Sequence, residues 1–104
     1  MRKAVILHPE QRLINMEQQL WRLYHLSLED YQEMVENQGD RCAICGQPPK
    51  GEGNGASSRL HVDHNHATNQ NRGLLCTRCN QGIGYFNEDP ALFQAAVDYL
   101  RRYM

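Results

Sequence analysis

The residues best suited to catalysis lie within six consecutive positions near the middle of the chain. This segment reads His61-Val62-Asp63-His64-Asn65-His66 and contains three of the five histidines in 104 residues. A carboxylate can bind a hard divalent cation, while a neighbouring imidazole, which titrates near neutral pH, can act as a general base. Asp63 and His64 therefore indicate metal-assisted hydrolysis. His61 and His66 could take part, or could stack, form hydrogen bonds or lie exposed.

Four cysteines flank this segment as two Cys-x-x-Cys pairs with 30 residues between the pairs. Four thiolates complete the tetrahedral coordination of zinc and leave no open position, which is typical of a structural site and not of a catalytic one. Disulfides and redox thiols are less favoured, because no thioredoxin-like pattern of strands and helices surrounds the pairs. The sequence predicts one structural zinc bound by Cys42, Cys45, Cys76 and Cys79.

Two helices are predicted before the first cysteine pair, and the first of them is amphipathic. Residues 9–25 begin with proline and repeat apolar residues at three- and four-residue steps. Their apolar stripe contains Leu13, Ile14, Met16, Leu20, Trp21 and Tyr24. The second helix begins at Ser27, where Asp30 completes a capping-box pattern, and ends at Gly39.

A β-hairpin is predicted between the two cysteine pairs, and a short helix is predicted directly after the second pair. Residues 60–63 alternate apolar and polar side chains, and residues 73–75 are suited to the partner strand across a polar turn at residues 68–71. Residues 80–86 favour a short helix, although two glycines weaken it. The first predicted strand would therefore carry His61, Val62 and Asp63.

Proline and glycine mark the remaining segments. Residues 47–59 contain two prolines and three glycines, which predicts an irregular surface loop. Asp89 and Pro90 are typical of an N-cap and a first helical position, so a last helix is predicted to begin there. Its buried stripe is predicted to contain Phe93, Val97, Leu100 and Tyr103 or Met104.

Charge and hydrophobicity exclude some classes of protein. The formal net charge of -1 gives no general argument for nucleic acid, but residues 41–104 carry seven basic and five acidic side chains. No stretch approaches the roughly 18 apolar residues of a membrane span. The four apolar residues at positions 4–7 are too few for a secretory signal. A cytoplasmic, reducing location is expected, in which paired thiols usually bind zinc.

Taken in order along the chain, these motifs resemble HNH nucleases of the ββα-metal class, and are similar to the phage recombination endonuclease VII family. The resemblance covers about residues 41–86. It depends on the two cysteine pairs, on residues 61–66, and on Arg72-Gly73-Leu74-Leu75 before the second pair, with Asn80 directly after that pair. A phage or prophage origin is therefore expected.

The resemblance implies an α+β fold, with a small zinc-stapled ββα-metal core and flanking N- and C-terminal helices. One structural domain is expected, in which residues 41–104 form the nuclease core with its C-terminal helix. Residues 1–40 are expected to form a helical segment for packing or for dimerisation. A homodimer would then be held through the N-terminal helices.

The resemblance also implies a metal-dependent DNA endonuclease that nicks or cleaves by hydrolysing phosphodiester bonds. His64 would be the general base, Asp63 and Asn80 would bind Mg²⁺ or Mn²⁺, and the ion would stabilise the leaving oxygen. His66 is a further catalytic candidate. Where endonuclease VII carries an acidic residue after the asparagine, this chain has Ile83. The candidate DNA contacts are Arg72, Arg78 and His61.

Two other functions remain open at this point. A catalytically silent zinc-binding module could bind DNA or protein, and a zinc-containing toxin or effector nuclease could share the same chemistry. Asp63, His64 and Asn80 are all present, which argues against the silent module, because a degenerate site would be expected to lose at least one. No residue pattern indicates contacts to base edges, so weak sequence specificity and marked salt dependence are expected.

Overall fold

Six helices and strands follow one another in residues 9–50 and 59–104, which are the residues that this computed structural model describes. They are α1 (Pro9–Tyr24), α2 (Leu28–Asn37), β1 (His61–His64), β2 (Asn71–Leu75), α3 (Thr77–Tyr85) and α4 (Pro90–Arg102). The α+β prediction is confirmed, with the two strands and α3 forming the ββα unit. The N-terminal segment considered as a secretory signal and most of the predicted irregular loop, residues 51–58, lie outside the described residues. No described helix is long and apolar enough to cross a membrane.

Side-chain caps determine where three helices begin. Ser27 Oγ accepts a hydrogen bond from the Asp30 N–H at 3.0 Å, and the Asp30 carboxylate accepts one from the Ser27 N–H at 3.3 Å, so the predicted capping box is confirmed. The Asp89 carboxylate caps α4 by accepting from the Ala91 N–H at 2.9 Å. The short helix α3 begins earlier than predicted, because Cys76 Sγ acts as its N-cap. The oxygen caps at Ser27 and Asp89 contribute about 1 kcal/mol each.

The two strands pair in an antiparallel hairpin that contains one β-bulge. Asp63 on β1 pairs with Gly73 on β2, but the next pair joins His64 to Asn71. Arg72 therefore has no partner in the ladder and lies beside the step between Asp63 and His64. A bulge of this kind bends the strand and redirects nearby side chains, and bulges are common next to active sites.

One apolar cluster joins the N-terminal helices to the hairpin. Its buried members are Leu20, Tyr31, Cys42, Leu60, Val62, Leu74 and Leu75. The Tyr31 hydroxyl donates to the Leu60 carbonyl at 2.7 Å inside this cluster, and burial raises the pKa of the phenol. Full burial of one leucine side chain contributes about 2 kcal/mol. The cluster includes residues on both sides of position 40. The division of the chain there into an N-terminal helical segment and a nuclease core remains a prediction.

The two predicted apolar stripes are only partly buried. In α1, Leu20 is buried, but Trp21 is 59% exposed. In α4, the Phe93 ring packs edge-to-face on Phe86 at 5.0 Å, whereas Leu100 is 59% exposed. The exposed members of the two stripes are Leu13, Ile14, Trp21, Val97, Leu100, Tyr103 and Met104. The prediction of a buried α4 stripe is wrong beyond Phe93, because periodicity specifies a helix face but not whether another element covers it.

The Gln38 side chain forms hydrogen bonds with the backbone of Leu74 on β2. Its Oε1 accepts from the Leu74 N–H at 2.9 Å, and its Nε2 donates to the Leu74 carbonyl at 3.0 Å and to the Arg41 carbonyl at 2.8 Å. The Ala43 N–H also donates to the Leu74 carbonyl, at 3.0 Å. Gln38 therefore supplies the hydrogen-bond acceptor for the N–H of Leu74, which is fully buried.

Replacing Gln38 by alanine is expected to lower the free energy of unfolding by about 2 kcal/mol, because the buried Leu74 N–H loses its acceptor. Urea denaturation of zinc-loaded protein measures this difference. Gln32→Ala is the matched control, since Gln32 lies exposed on α2, the helix that Gln38 caps at its C-terminal end. Equal stability of the two variants would contradict the role given to Gln38.

Candidate active site and metal centre

Four cysteine sulfurs converge between the loop after α2 and the start of α3. All four Sγ atoms lie within 4.8 Å of one another, and those of Cys45 and Cys76 are 3.8 Å apart. Zinc bonds of about 2.3 Å in a tetrahedron separate neighbouring thiolates by about 3.8 Å. The cysteines that the sequence predicts are therefore positioned to bind one metal ion in a closed, four-thiolate site.

Local hydrogen bonds hold both cysteine pairs in this arrangement. In the first pair, the Gly46 N–H donates to the Cys42 carbonyl at 3.0 Å, and Gly46 adopts a φ of 73° that few residues other than glycine tolerate. The Ile44 N–H points at Cys42 Sγ at 3.4 Å. In the second pair, the Cys79 N–H points at Cys76 Sγ at 3.5 Å. The N–H groups that point at the sulfurs favour the thiolate form.

The pKa values of the thiols diverge within the cluster. Burial acts to raise the pKa of Cys42, but backbone hydrogen bonds from Cys76, Cys45 and Ile44 outweigh burial and lower it to about 6. Burial, followed by hydrogen bonds with the neighbouring sulfurs, raises the pKa of Cys79 to about 12. Four thiolates at this separation repel one another unless a cation lies between them. The geometry therefore suits a bound cation such as zinc.

Asp63 is 9% exposed and is the buried charged residue of the part of the chain that the structure describes. Arg72 Nε donates to its Oδ2 at 2.6 Å, and Arg72 Nη2 donates to its Oδ1 at 2.8 Å. The same Nη2 donates to Glu88 Oε1 at 3.0 Å. The hydrogen bond with Asp63, and to a smaller extent the one with Glu88, raises the pKa of Arg72 above its ordinary value. Both oxygens of Asp63 thus face one cationic group, so this carboxylate is placed to bind positive charge.

His64 lies half-buried at the end of β1, between two other rings. Its centroid is 5.4 Å from that of Tyr24 and 4.4 Å from that of His66, both in edge-to-face orientation. Asn71, the strand partner of His64, donates from Nδ2 to the Tyr24 carbonyl at 3.1 Å. Helix α1 is thereby held against the hairpin beside His64. No sequence pattern links Tyr24 to His64, because they lie 40 positions apart.

The loop after β1 is organised by Asn65. Its Oδ1 accepts hydrogen bonds from the Ala67 N–H at 2.9 Å and the Thr68 N–H at 3.3 Å, which is the geometry of an Asx turn. The turn therefore begins earlier than the predicted residues 68–71. His66 is exposed in this loop and reaches back to the His64 ring. Its catalytic role stays a prediction.

Helix α3 packs against both strands and carries three predicted site residues, Arg78, Cys79 and Asn80. The Oγ1 of its first residue, Thr77, lies 3.1 Å from His61 Nε2, and this hydrogen bond joins β1 to the helix. Asn80 is half-buried, and its N–H donates to the Cys76 carbonyl at 2.9 Å. Arg78 is exposed, and a hydrogen bond with Cys45 raises the pKa of its guanidinium. The four-cysteine cluster therefore lies at the start of the helix that carries Asn80.

Sequence comparison places most of the chain in one family. The family model for recombination endonuclease VII matches residues 17–102. The chain is 44% identical over 80 residues to the Gene 59 protein of Mycobacterium phage D29, with 76% of this chain and 46% of that protein covered. It is 40% identical over 78 residues to the Gene 59 protein of Mycobacterium phage L5, covering 74% and 44%. The chain spans less than half the length of these relatives.

Structural comparison leads to the same group. The crystal structure of the β-β-α-Me type II restriction endonuclease Hpy99I is similar with a TM-score of 0.53 and 31% sequence identity, over 76% of this chain and 43% of that one. This similarity agrees with the ββα unit of β1, β2 and α3, beside which the four cysteines converge. This chain belongs to the recombination endonuclease VII family and has its α+β, ββα-metal fold.

Proposed function

We propose that this protein is an HNH endonuclease that hydrolyses DNA phosphodiester bonds, by nicking or cleaving, with the help of a divalent cation. The observation that carries the proposal is the placement of a buried carboxylate, Asp63, directly before the half-buried imidazole of His64 on β1. Membership of the recombination endonuclease VII family supports the reaction class.

Each side chain has a distinct part in this proposal. Asp63 and Asn80 supply oxygen ligands to Mg²⁺ or Mn²⁺, whose preferred donors are carboxylate and carbonyl oxygens. The bound cation would stabilise the negative charge on the leaving oxygen. His64 takes the proton from the attacking water. His66 packs its ring against that of His64 and helps to orient the His64 imidazole. A histidine suits this task because it titrates close to neutral pH.

The thiolate cluster supports the reaction only through structure. A zinc ion bound by Cys42, Cys45, Cys76 and Cys79 has no open position for water or phosphate. It joins the loop after α2 to the start of α3, and the Asn80 N–H is bonded to the carbonyl of one of these cysteines. Zinc is therefore proposed as the structural ion and Mg²⁺ or Mn²⁺ as the catalytic one.

The proposed contacts to the DNA backbone are Arg72, Arg78 and His61. Arg78 is exposed and suited to a phosphate. Arg72 donates from Nε and Nη2 to carboxylates, so within the described ranges its Nη1 is the end available to a phosphate oxygen. His61 is half-buried, and its Nε2 is engaged with Thr77. A cytoplasmic site of action fits such a DNA substrate.

The proposed function is tested with supercoiled plasmid. Zinc-loaded protein is expected to convert it to nicked or linear DNA with Mg²⁺ or Mn²⁺ present, and not with EDTA added. Linear and branched duplexes added to the same assay would identify the preferred DNA form. Plasmid that stays supercoiled with every divalent cation would rule out the nuclease, and retarded but uncut DNA would favour the silent zinc-binding module.

We also propose that α1 forms a homodimer contact. Ile14 and Trp21 are exposed and lie seven residues, or two helical turns, apart on the same face. Sedimentation equilibrium is expected to give twice the 12.0 kDa mass of the chain, and Trp21→Glu is expected to give the single mass. Tyr99→Glu, at an exposed aromatic residue of α4, should leave the mass unchanged. A wild-type monomer would contradict the proposal.

A further inference from the structure

The guanidinium of Arg72 is shared by two carboxylates that come from different parts of the chain. Its Nη2 lies 2.8 Å from Asp63 Oδ1 and 3.0 Å from Glu88 Oε1. The Glu88 side chain is 29% exposed, so solvent screens this pair only in part. One negative charge remains uncompensated among the three groups. No sequence motif of the nuclease pattern includes Glu88.

The backbone that presents Glu88 adopts an unusual conformation. Asn87 and Glu88 have φ values of 54° and 55°, in the left-handed region that costs residues other than glycine about 1 kcal/mol each. The Glu88 N–H donates to the Ile83 carbonyl at 2.9 Å, which closes the turn after α3. Such strained residues persist where the surrounding structure fixes them, and they are enriched at functional sites. Here the turn directs a carboxylate onto Arg72.

Charge balance explains why a second carboxylate beside Arg72 matters. Without Glu88, Asp63 and Arg72 would neutralise each other, and an incoming divalent cation would compete with the guanidinium for the only carboxylate present. With Glu88, the guanidinium keeps an anionic partner when Asp63 turns an oxygen toward another cation. The site also keeps a net negative charge, which favours cation binding.

We propose that Glu88 is a positioning residue that holds Arg72 and thereby sets the affinity of the Asp63 site for a divalent cation. This inference rests on the proposed function, because it assigns that cation to Asp63. Glu88 acts through Arg72 and through the local charge. It is not proposed to touch the DNA.

Direct titration of zinc-loaded protein with Mn²⁺, followed by electron paramagnetic resonance, tests the inference without DNA. Glu88→Gln keeps the size of the side chain and an oxygen acceptor for Arg72 but removes the charge. Its Kd for Mn²⁺ is expected to be roughly tenfold higher than that of the wild type. Glu88→Asp keeps the charge and should recover part of the affinity. Glu36→Gln, at an exposed glutamate of α2, should leave the Kd unchanged.

The outcomes distinguish failure of the inference from failure of the proposed function. An unchanged or lower Kd in Glu88→Gln overturns the inference, while Mn²⁺ binding and plasmid nicking by the wild type would keep the proposed function. Failure of the wild type to bind Mn²⁺ overturns both the cation site and the inference. A purely structural role of Glu88 would lower the melting temperature or the zinc content without raising the Kd, and would also overturn it.

Discussion

Replacing His64 by alanine is expected to reduce the rate of plasmid nicking about a thousandfold, with no loss of the fold. A positioned general base contributes on the order of 10² to 10⁴ in rate, and alanine cannot accept the proton of the attacking water. His64 lies half-buried at the end of β1 against Tyr24 and His66, so its loss leaves the buried core of the hairpin intact. The measurement is the initial rate of nicking at saturating Mg²⁺.

The control for this substitution is His25→Asn. His25 is exposed with a φ of 54°, and asparagine tolerates this left-handed conformation better than most residues do. This variant should nick plasmid at the wild-type rate. Nicking by His64→Ala within a factor of three of that rate would remove His64 from the proposed mechanism, provided that both variants retain zinc.

Replacing Cys76 by serine is expected to unfold the protein at 25 °C. Cys76 is the N-cap of α3, and serine is itself a preferred N-cap, so this variant removes the thiolate while retaining a capping group. Structural zinc contributes about 10 to 16 kcal/mol in small zinc domains, which exceeds the stability of many domains of this size. Zinc content by mass spectrometry and far-UV circular dichroism measure the result. The zinc content of the variant should fall below about 0.1 per chain.

Ile44→Ser provides the matched control for the cysteine variant. Ile44 lies within the first cysteine pair but is 57% exposed, and its side chain is not a candidate ligand. This variant should bind about one zinc ion and keep its helical signal. A folded Cys76→Ser protein with a full complement of zinc would show that the four sulfurs do not form one metal site. Prolonged treatment of the wild type with a zinc chelator should reproduce the unfolding.

The features that follow from the sequence are those whose physical cause lies within a few residues. The spacing of each Cys-x-x-Cys pair determines that two sulfurs can face one ion, and the four sulfurs do converge. The capping box at Ser27 and the N-cap at Asp89 depend on hydrogen bonds to N–H groups two or three residues ahead, and both occur. The order of the motifs identified the family from the residues alone.

Other features depend on which distant segments meet, and local patterns carry no signal for them. Periodicity predicts the faces of α1 and α4, but only the fold decides that Leu20 is covered while Trp21 and Leu100 are exposed. Gln38 meets Leu74 across 36 positions because α2 packs against β2, and no helical pattern distinguishes it from the exposed Gln32.

The same distinction applies to the candidate active site. The sequence by itself determined that Asp63 and His64 are adjacent and that Asn80 directly follows the second cysteine pair, whereas the predicted strand ended at Asp63 and the structure extends it to His64. Only the tertiary structure decided that Arg72, expected to contact DNA, lies between Asp63 and Glu88. The reason is that a bulge in β2 and a left-handed turn after α3 direct these side chains together. Electrostatic attraction between groups 9 and 16 positions apart in sequence then holds them there.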